Sequence, residues 1–185
     1  MDQCSSKYNT QFVNLICLKY TLGDDKMALK LGDKAPDFKL KNQDGNPVSL
    51  DEFKGKNVVV LFFPFANTSV CTTEMSLIRD NINKFDNINA QVLGISVDSP
   101  FALKMWSEKN SFNFPLLSDF NKEVSPLYDS LYDIFAPGKL DYKGVSKRSA
   151  FVVDKSGIIK YAEICDLPTN QPDYQSIEEV LKSLG

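Results

Sequence analysis

Apolar residues along this 185-residue chain occur both in short continuous runs and in stripes with helical spacing. The runs at 58–63 and 92–97 show no polar alternation, which is typical of strands covered on both faces of a sheet. Between them, apolar side chains recur every three or four positions and predict a helix over 72–85. The residues of that stripe are Met75, Ile78, Ile82 and Phe85.

Two further segments in the middle of the chain have helical character. A serine–proline pair at 99–100 supplies an N-cap and a first-turn proline for a second helix. Its buried face is predicted to carry Ala102, Met105 and Trp106. The apolar positions of 124–131 predict another helix, broken around Pro126.

The remaining segments complete an alternation of strands and helices. Strands at 37–40 and 48–50 flank an Asp-Gly turn, a third is predicted at 116–117, and those at 150–154 and 158–164 are joined by a tight turn. A final stripe of Ile177, Val180, Leu181 and Leu184 predicts a docked C-terminal helix. This order predicts an α/β fold in which a central mixed sheet carries helices on both faces.

The first 26 residues differ from the rest. They are mostly polar, and their one apolar patch, at 12–18, is interrupted by Asn14 and lacks the features of a signal peptide. We therefore expect 1–26 to be a poorly ordered tail and 27–185 to form one domain.

Composition excludes several kinds of chemistry. The chain has no histidine, which rules out Ser-His-Asp and Cys-His catalysis and histidine-ligated zinc. Its four cysteines are dispersed and include no C-x-x-C pair. This pattern favours a reducing compartment, and we therefore expect a cytoplasmic protein. The net charge of −3 and the lack of a long apolar run predict neither a nucleic-acid partner nor a membrane span.

One stretch concentrates the chemistry. A buried strand ends at Pro64, a loop with three candidate N-caps follows, and Cys71 then falls in the first turn of the next helix. Unpaired amide groups and the helix dipole stabilise an anion at this position, so a cysteine there reacts as a thiolate without help from a histidine.

These residues resemble a known family. Pro64-x-x-x-Thr68-x-x-Cys71 matches the P-x-x-x-T-x-x-C signature of peroxiredoxins, and the later segment 148–154, which begins at Arg148, matches a second peroxiredoxin motif. The resemblance extends over most of 29–184 and is strongest to the alkyl hydroperoxide reductase E type. It implies a thioredoxin-like fold and a thiol-dependent peroxidase in antioxidant defence that uses neither a metal nor an organic cofactor.

The resemblance also implies a role for each site residue. Cys71 is the peroxidatic nucleophile that cycles through a sulfenic acid, Thr68 hydrogen-bonds the thiolate and the peroxide, and Arg148 stabilises the developing charge. Pro64 covers the pocket. Glu74 is expected to order the loop through Arg79 or Arg148, or else to serve only as a first-turn acid.

The reductant and the second half of the cycle are less constrained. The resemblance implies a homodimer that pairs around the active site, with a thioredoxin- or glutaredoxin-like protein or a small thiol as electron donor. Cys165, at the end of a strand, is an alternative resolving cysteine, although we favour a one-cysteine route. Two other functions stay open: a redox-inert interaction or holdase module, and a thiol–disulfide oxidoreductase.

Overall fold

The structure, a computed structural model, describes residues 29–185, and the predicted tail at 1–26 lies outside the described residues. Nine strands and three α-helices alternate along the described chain, with one short 3-10 helix at Leu50–Phe53. The strands are β1 (Lys39–Asn42), β2 (Pro47–Ser49), β3 (Asn57–Phe62), β4 (Ala90–Ser96), β5 (Leu116–Ser118), β6 (Leu131–Tyr132), β7 (Val145–Ser146), β8 (Ser149–Val153) and β9 (Ile159–Ile164). The helices are α1 (Ser69–Asn87), α2 (Pro100–Asn110) and α3 (Tyr174–Ser183).

Seven strands form one mixed sheet in the order β2-β1-β5-β4-β3-β8-β9. β3 lies parallel to β4 and antiparallel to β8, with Phe62 opposite Ile95 on one side and Ser149 on the other. β8 and β9 form an antiparallel hairpin at the edge. The predicted mixed sheet is therefore confirmed.

The two faces of β3 are covered by different elements. Val59 and Leu61 point into an apolar cluster to which all three α-helices contribute. Val58, Val60 and Phe62 point to a second cluster, covered by the 3-10 helix and by segments near 35–38 and 124–128. Every β3 residue is buried, and from Val58 to Phe62 the strand is apolar, as the sequence predicted.

The predicted broken helix at 124–131 is not formed. The Asp119 carboxylate accepts hydrogen bonds from the N–H groups of Glu123, Val124 and Ser125 at 2.7–3.1 Å, donors that a helix starting there would leave unpaired. Beyond them, the N–H groups of Leu127 and Tyr128 both bond back to the Val124 carbonyl oxygen, as in a single turn. Asp129 then adopts a left-handed φ of 53°. The segment is consequently a series of turns that leads into β6.

The predicted buried face of α2 is also partly wrong. Trp106 is buried as expected, but its neighbours in the core are Leu103 and Ser107, while Met105 is 72% exposed. The Trp106 indole N–H donates to the Thr72 hydroxyl at 3.2 Å, which sets the rotation of α2. Met105 lies about 100° around the helix from Trp106 and therefore faces outward.

Candidate active site

The loop between β3 and α1 is fixed to the neighbouring strand. The Phe63 N–H donates to the Ile95 carbonyl oxygen at 3.0 Å, and the Ala66 N–H donates to Asp98 Oδ2 at 2.8 Å. Asn67 has a φ of 60°, which turns the chain into the N-cap position at Thr68. The start of α1 is thus held at the carboxyl end of β3.

Cys71 occupies the third position of α1. The first helical hydrogen bond runs from the Thr72 N–H to the Thr68 carbonyl oxygen at 2.9 Å, so the Cys71 N–H precedes the ladder and is directed to the helix end. The side chain of Cys71 is only 1% exposed. Its sulfur therefore lies in a dry environment beside the positive end of the helix dipole.

Arg148 reaches Cys71 because of the strand register. Ser149 pairs with Phe62, so Arg148 lies just beyond the end of β3, next to the loop that leads into α1. Its Nη2 is 3.2 Å from Cys71 Sγ, and the whole residue is 1% exposed. The guanidinium is thus a buried cation in contact with the sulfur.

Two other acceptors hold Arg148. Nη1 donates to Glu74 Oε2, while Nε and Nη2 donate to the Pro168 carbonyl oxygen at 3.1 and 3.0 Å. The guanidinium is consequently fixed in orientation as well as in position. Burial, the largest single effect, lowers the pKa of Arg148, but the neighbouring Glu74 and Cys71 together, through charge and hydrogen bonds, outweigh it, and the pKa is raised.

Glu74 interacts with Arg148 rather than with Arg79. Arg79 instead bonds Asp80 and the Asn110 carbonyl oxygen. The second oxygen of Glu74, Oε1, accepts from the Tyr174 hydroxyl at 2.8 Å. Burial raises the pKa of Glu74, and the Arg148 charge and the Tyr174 hydroxyl oppose that rise.

Thr68 and Pro64 lie on the loop side of the site. The Thr68 hydroxyl donates to the Phe65 carbonyl oxygen at 3.0 Å, and the residue is exposed. Pro64 is buried directly after the strand. The structure therefore brings Cys71, Glu74 and Arg148 into direct contact, with Thr68 at the accessible edge and without a bond from its hydroxyl to Cys71.

Cys165 lies opposite Arg148 on the adjacent strand. Its N–H donates to the Arg148 carbonyl oxygen at 2.9 Å, and the residue is buried. Burial, together with the charges of Glu163 and Glu74, raises the pKa of the Cys165 thiol to about 11. Both cysteines within residues 29–185 are free thiols.

Two residues of the site were missed by sequence reasoning. Pro168 contributes only a backbone carbonyl, and Tyr174 opens α3 one hundred residues after Glu74. Neither has a local pattern that marks it, because the contact depends on where α3 packs. The one signal available in the sequence was the hydroxyl of Tyr174, which lies just before the apolar stripe of the predicted C-terminal helix.

Within residues 29–185, no group of three or more His, Cys, Asp or Glu side chains is placed to hold a metal ion. In the same part of the chain, no helix is both long enough and apolar enough to cross a membrane.

Comparison with known proteins identifies the family. The sequence profile of the AhpC/TSA family matches residues 31–162. The chain belongs to this family. Alkyl hydroperoxide reductase E of Mycobacterium tuberculosis is 39% identical over 137 residues, which cover 74% of this chain and 86% of that protein. The mitochondrial thioredoxin-dependent peroxide reductase of Drosophila melanogaster is 36% identical over 165 residues, covering 84% of this chain and 65% of that protein.

Solved structures agree with the AhpC/TSA assignment. Peroxidoxin BcpB of Mycobacterium tuberculosis aligns with a TM-score of 0.73 at 27% identity, covering 85% of this chain and 99% of that one. The reduced 2-Cys peroxiredoxin of Plasmodium vivax gives a TM-score of 0.72 at 26% identity, covering 83% of this chain and 81% of that one. The thioredoxin-like peroxiredoxin fold and the enzyme class, a thiol-dependent peroxidase, are confirmed.

Proposed function

We propose that Cys71 is the nucleophile with which this peroxiredoxin reduces hydrogen peroxide and organic hydroperoxides. One observation carries the proposal: Arg148 Nη2 lies 3.2 Å from Cys71 Sγ, and both residues are buried. A fixed cation and a helix N-terminus act on the same sulfur, and both favour its thiolate form, which is the reactive species.

The reaction that this arrangement supports is a displacement at oxygen. The Cys71 thiolate attacks the terminal oxygen of the peroxide, the one that carries the hydrogen; an S–O bond forms, and the O–O bond breaks. Cys71 becomes a sulfenic acid, and the departing alkoxide or hydroxide takes a proton from water to leave as an alcohol or as water. The Arg148 guanidinium and the Cys71 N–H are the donors placed near the developing negative charge.

Thr68 is suited to orient the peroxide. Its hydroxyl proton is used in the bond to the Phe65 carbonyl oxygen, so its lone pairs remain as acceptors. A peroxide O–H donating to Thr68 Oγ1 would hold the substrate at the accessible edge of the site. Pro64, buried at the base of the loop and without an N–H, adds no competing donor.

The sulfenic acid is then reduced by external thiols. One thiol condenses with it to form a mixed disulfide and water, and a second thiol releases the Cys71 thiol and carries away the disulfide. The name of the thioredoxin-dependent relative supports a thioredoxin-type donor, and a glutaredoxin-like protein or a small thiol would supply the same chemistry. We favour this one-cysteine route because Cys165, with a pKa of about 11, is protonated and weakly nucleophilic near neutral pH.

The comparisons give no support to the two alternative functions. In a redox-inert module, nothing would offset the desolvation cost of burying an arginine against a buried thiol. A thiol–disulfide oxidoreductase needs a second cysteine close to the first along the helix, and Glu74 stands there, bonded to Arg148.

We also propose a homodimer and a cytoplasmic location. Exposed apolar side chains support a dimer face that includes the start of α2: Phe101 is 81% exposed and Met105 72% exposed. Phe65 and Ala66, which lead into α1, are half-buried and extend the predicted face. Two free cysteines within residues 29–185 agree with a reducing compartment.

The decisive experiment is intact-mass analysis after one equivalent of hydrogen peroxide in the presence of a sulfenic-acid trap. We expect one trap adduct per chain, located on the Cys71 peptide and abolished in Cys71→Ser. Cys165→Ser should form the adduct like the wild type. An unmodified Cys71 would overturn the proposal.

A further inference from the structure

A tyrosine from the C-terminal helix is bonded to the Cys71–Arg148–Glu74 chain. Tyr174 is the first residue of α3, and its hydroxyl donates to Glu74 Oε1 at 2.8 Å. The helix start is rigid, because the Asp173 side chain accepts from the N–H groups of Gln175 and Ser176. The backbone that carries Tyr174 is therefore anchored independently of Glu74.

The two terminal nitrogens of Arg148 serve different acceptors. Nη1 donates to Glu74 Oε2, and Nη2 donates to Cys71 Sγ. On its other side, the guanidinium is occupied by the Pro168 carbonyl oxygen, which accepts from both Nε and Nη2. Glu74 and Cys71 thus compete for the same end of one guanidinium.

An arginine and a carboxylate prefer to pair through two parallel hydrogen bonds. If Glu74 paired with Arg148 in this way, its second oxygen would take the Nη2 proton that now points to Cys71. That oxygen is instead engaged by Tyr174. Glu74 thus contacts Arg148 through one oxygen while its other oxygen accepts from Tyr174.

We propose that Tyr174 is a positioning residue for the reactive cysteine: by occupying Glu74 Oε1, its hydroxyl reserves Arg148 Nη2 for Cys71 Sγ. This role adds a residue to the proposed peroxidase mechanism, and its biological purpose rests on that mechanism. Tyr174 does not touch Cys71, and it acts entirely through Glu74 and Arg148.

The phenol is suited to this task over a wide pH range. Burial and the charge of Glu74 raise the pKa of Tyr174 well above its ordinary value, so the hydroxyl remains a donor. Two other titratable side chains lie near Arg148, Tyr132 and Cys165, and the pKa of each is raised, first by burial. Both therefore stay neutral near neutral pH.

The test is Tyr174→Phe, which keeps the ring and removes only the hydroxyl. The rate at which iodoacetamide alkylates Cys71 is followed against pH by peptide mass. We expect the midpoint of this profile to move upward by about 0.5 to 1 pH unit, because a charge-assisted hydrogen bond to the sulfur is weakened. The second-order rate constant for peroxide should fall by about threefold to tenfold.

Tyr128→Phe is the matched control. The Tyr128 hydroxyl also makes one hydrogen bond inside the protein, to the Pro36 carbonyl oxygen at 2.7 Å, and its ring packs in the apolar cluster on the face of the sheet opposite Cys71. Tyr128→Phe should follow the wild-type profile. Because Tyr174 acts through Glu74, adding Tyr174→Phe to Glu74→Gln should change neither the midpoint nor the rate further.

Two results would overturn the role of Tyr174. One is a Tyr174→Phe alkylation profile that superimposes on the wild type. The other is an undiminished effect of Tyr174→Phe in the Glu74→Gln background. Failure of the wild-type protein to react with peroxide would defeat the proposed function. Because alkylation requires no peroxide, the alkylation measurements would still decide the role of Tyr174.

Discussion

Arg148 and Cys165 face each other across the β8–β9 hairpin, where the Cys165 N–H donates to the Arg148 carbonyl oxygen at 2.9 Å. Residues directly opposite in an antiparallel pair project to the same face of the sheet. Arg148 extends from that face to Cys71, so the second cysteine of the domain lies on the same side of the sheet as the first. Burial and acidic neighbours keep the Cys165 thiol protonated, which disfavours a disulfide between the two.

The first prediction concerns this second cysteine. Its pKa of about 11 lies above the ordinary thiol value, so the protonated form dominates below that pH and the thiolate appears only as pH rises through it. Cys165 in the native protein should therefore alkylate slowly at pH 7 and speed up about tenfold per pH unit toward pH 10. In urea, the rate at pH 7 should approach that of a free cysteine.

Turnover with an external dithiol tests the same residue. Cys165→Ser should retain peroxidase activity within about twofold of the wild type, as expected for a residue outside the chemical step. A quantitative Cys71–Cys165 disulfide in the wild type, with turnover lost in Cys165→Ser, would instead establish the two-cysteine route.

The second prediction concerns Arg148. Lysine carries the same charge but only one nitrogen, so Arg148→Lys cannot contact Cys71, Glu74 and the Pro168 carbonyl at once. The rate constant for peroxide should fall by about 100-fold, the scale of losing one aligned donor. Stopped-flow measurement of Cys71 oxidation gives this value directly.

Arg79→Lys is the matched control, since Arg79 is the only other arginine in the sequence. Its bonds run to Asp80 and the Asn110 carbonyl oxygen, away from Cys71. The Arg79→Lys variant should have the same rate constant for peroxide as the wild type. Equal losses in both variants would show that the effect comes from general stability rather than from the site.

The third prediction concerns Thr68. Thr68→Val preserves shape and removes the acceptor, so peroxide oxidation of Cys71 should slow by about 10²- to 10³-fold while Thr68→Ser keeps most of the rate. Thr73→Val is the control, because the Thr73 hydroxyl bonds only to the Ser69 carbonyl oxygen on the exposed side of α1. Full activity in Thr68→Val would remove Thr68 from the mechanism.

The fourth prediction concerns assembly. Phe101 is the most exposed large apolar side chain within residues 29–185, and a charge there should disrupt a dimer face. Sedimentation at micromolar concentration should give a dimer for the wild type and a 20.8 kDa species for Phe101→Glu. Leu31→Glu, at a similarly exposed site beside the β8–β9 turn at the other end of the sheet, should remain dimeric. A wild type that sediments only as the 20.8 kDa species would contradict the dimer.

Local pattern explains what was predicted correctly. The buried run of β3 and the stripe of α1 depend on residues within one element, and their periods are visible in the sequence. The position of Cys71 at a helix start follows from the same local signals. The turns at 124–131 were mispredicted because the apolar spacing is helical, whereas Pro126 has no N–H to donate and Asp129 turns the backbone with a left-handed φ of 53°.

The sequence by itself determined the alternation of strands and helices, the cysteine at the start of α1, and the absence of histidine from the chemistry. Only the tertiary structure decided that Glu74 bonds Arg148 rather than Arg79, and that Tyr174 and the Pro168 carbonyl complete the site. The reason is physical: helix and strand periods arise between near neighbours in the chain, whereas Arg148 meets Cys71 through the register of β3 with β8. That register is selected by burial of both faces of the sheet at once, which no single segment encodes.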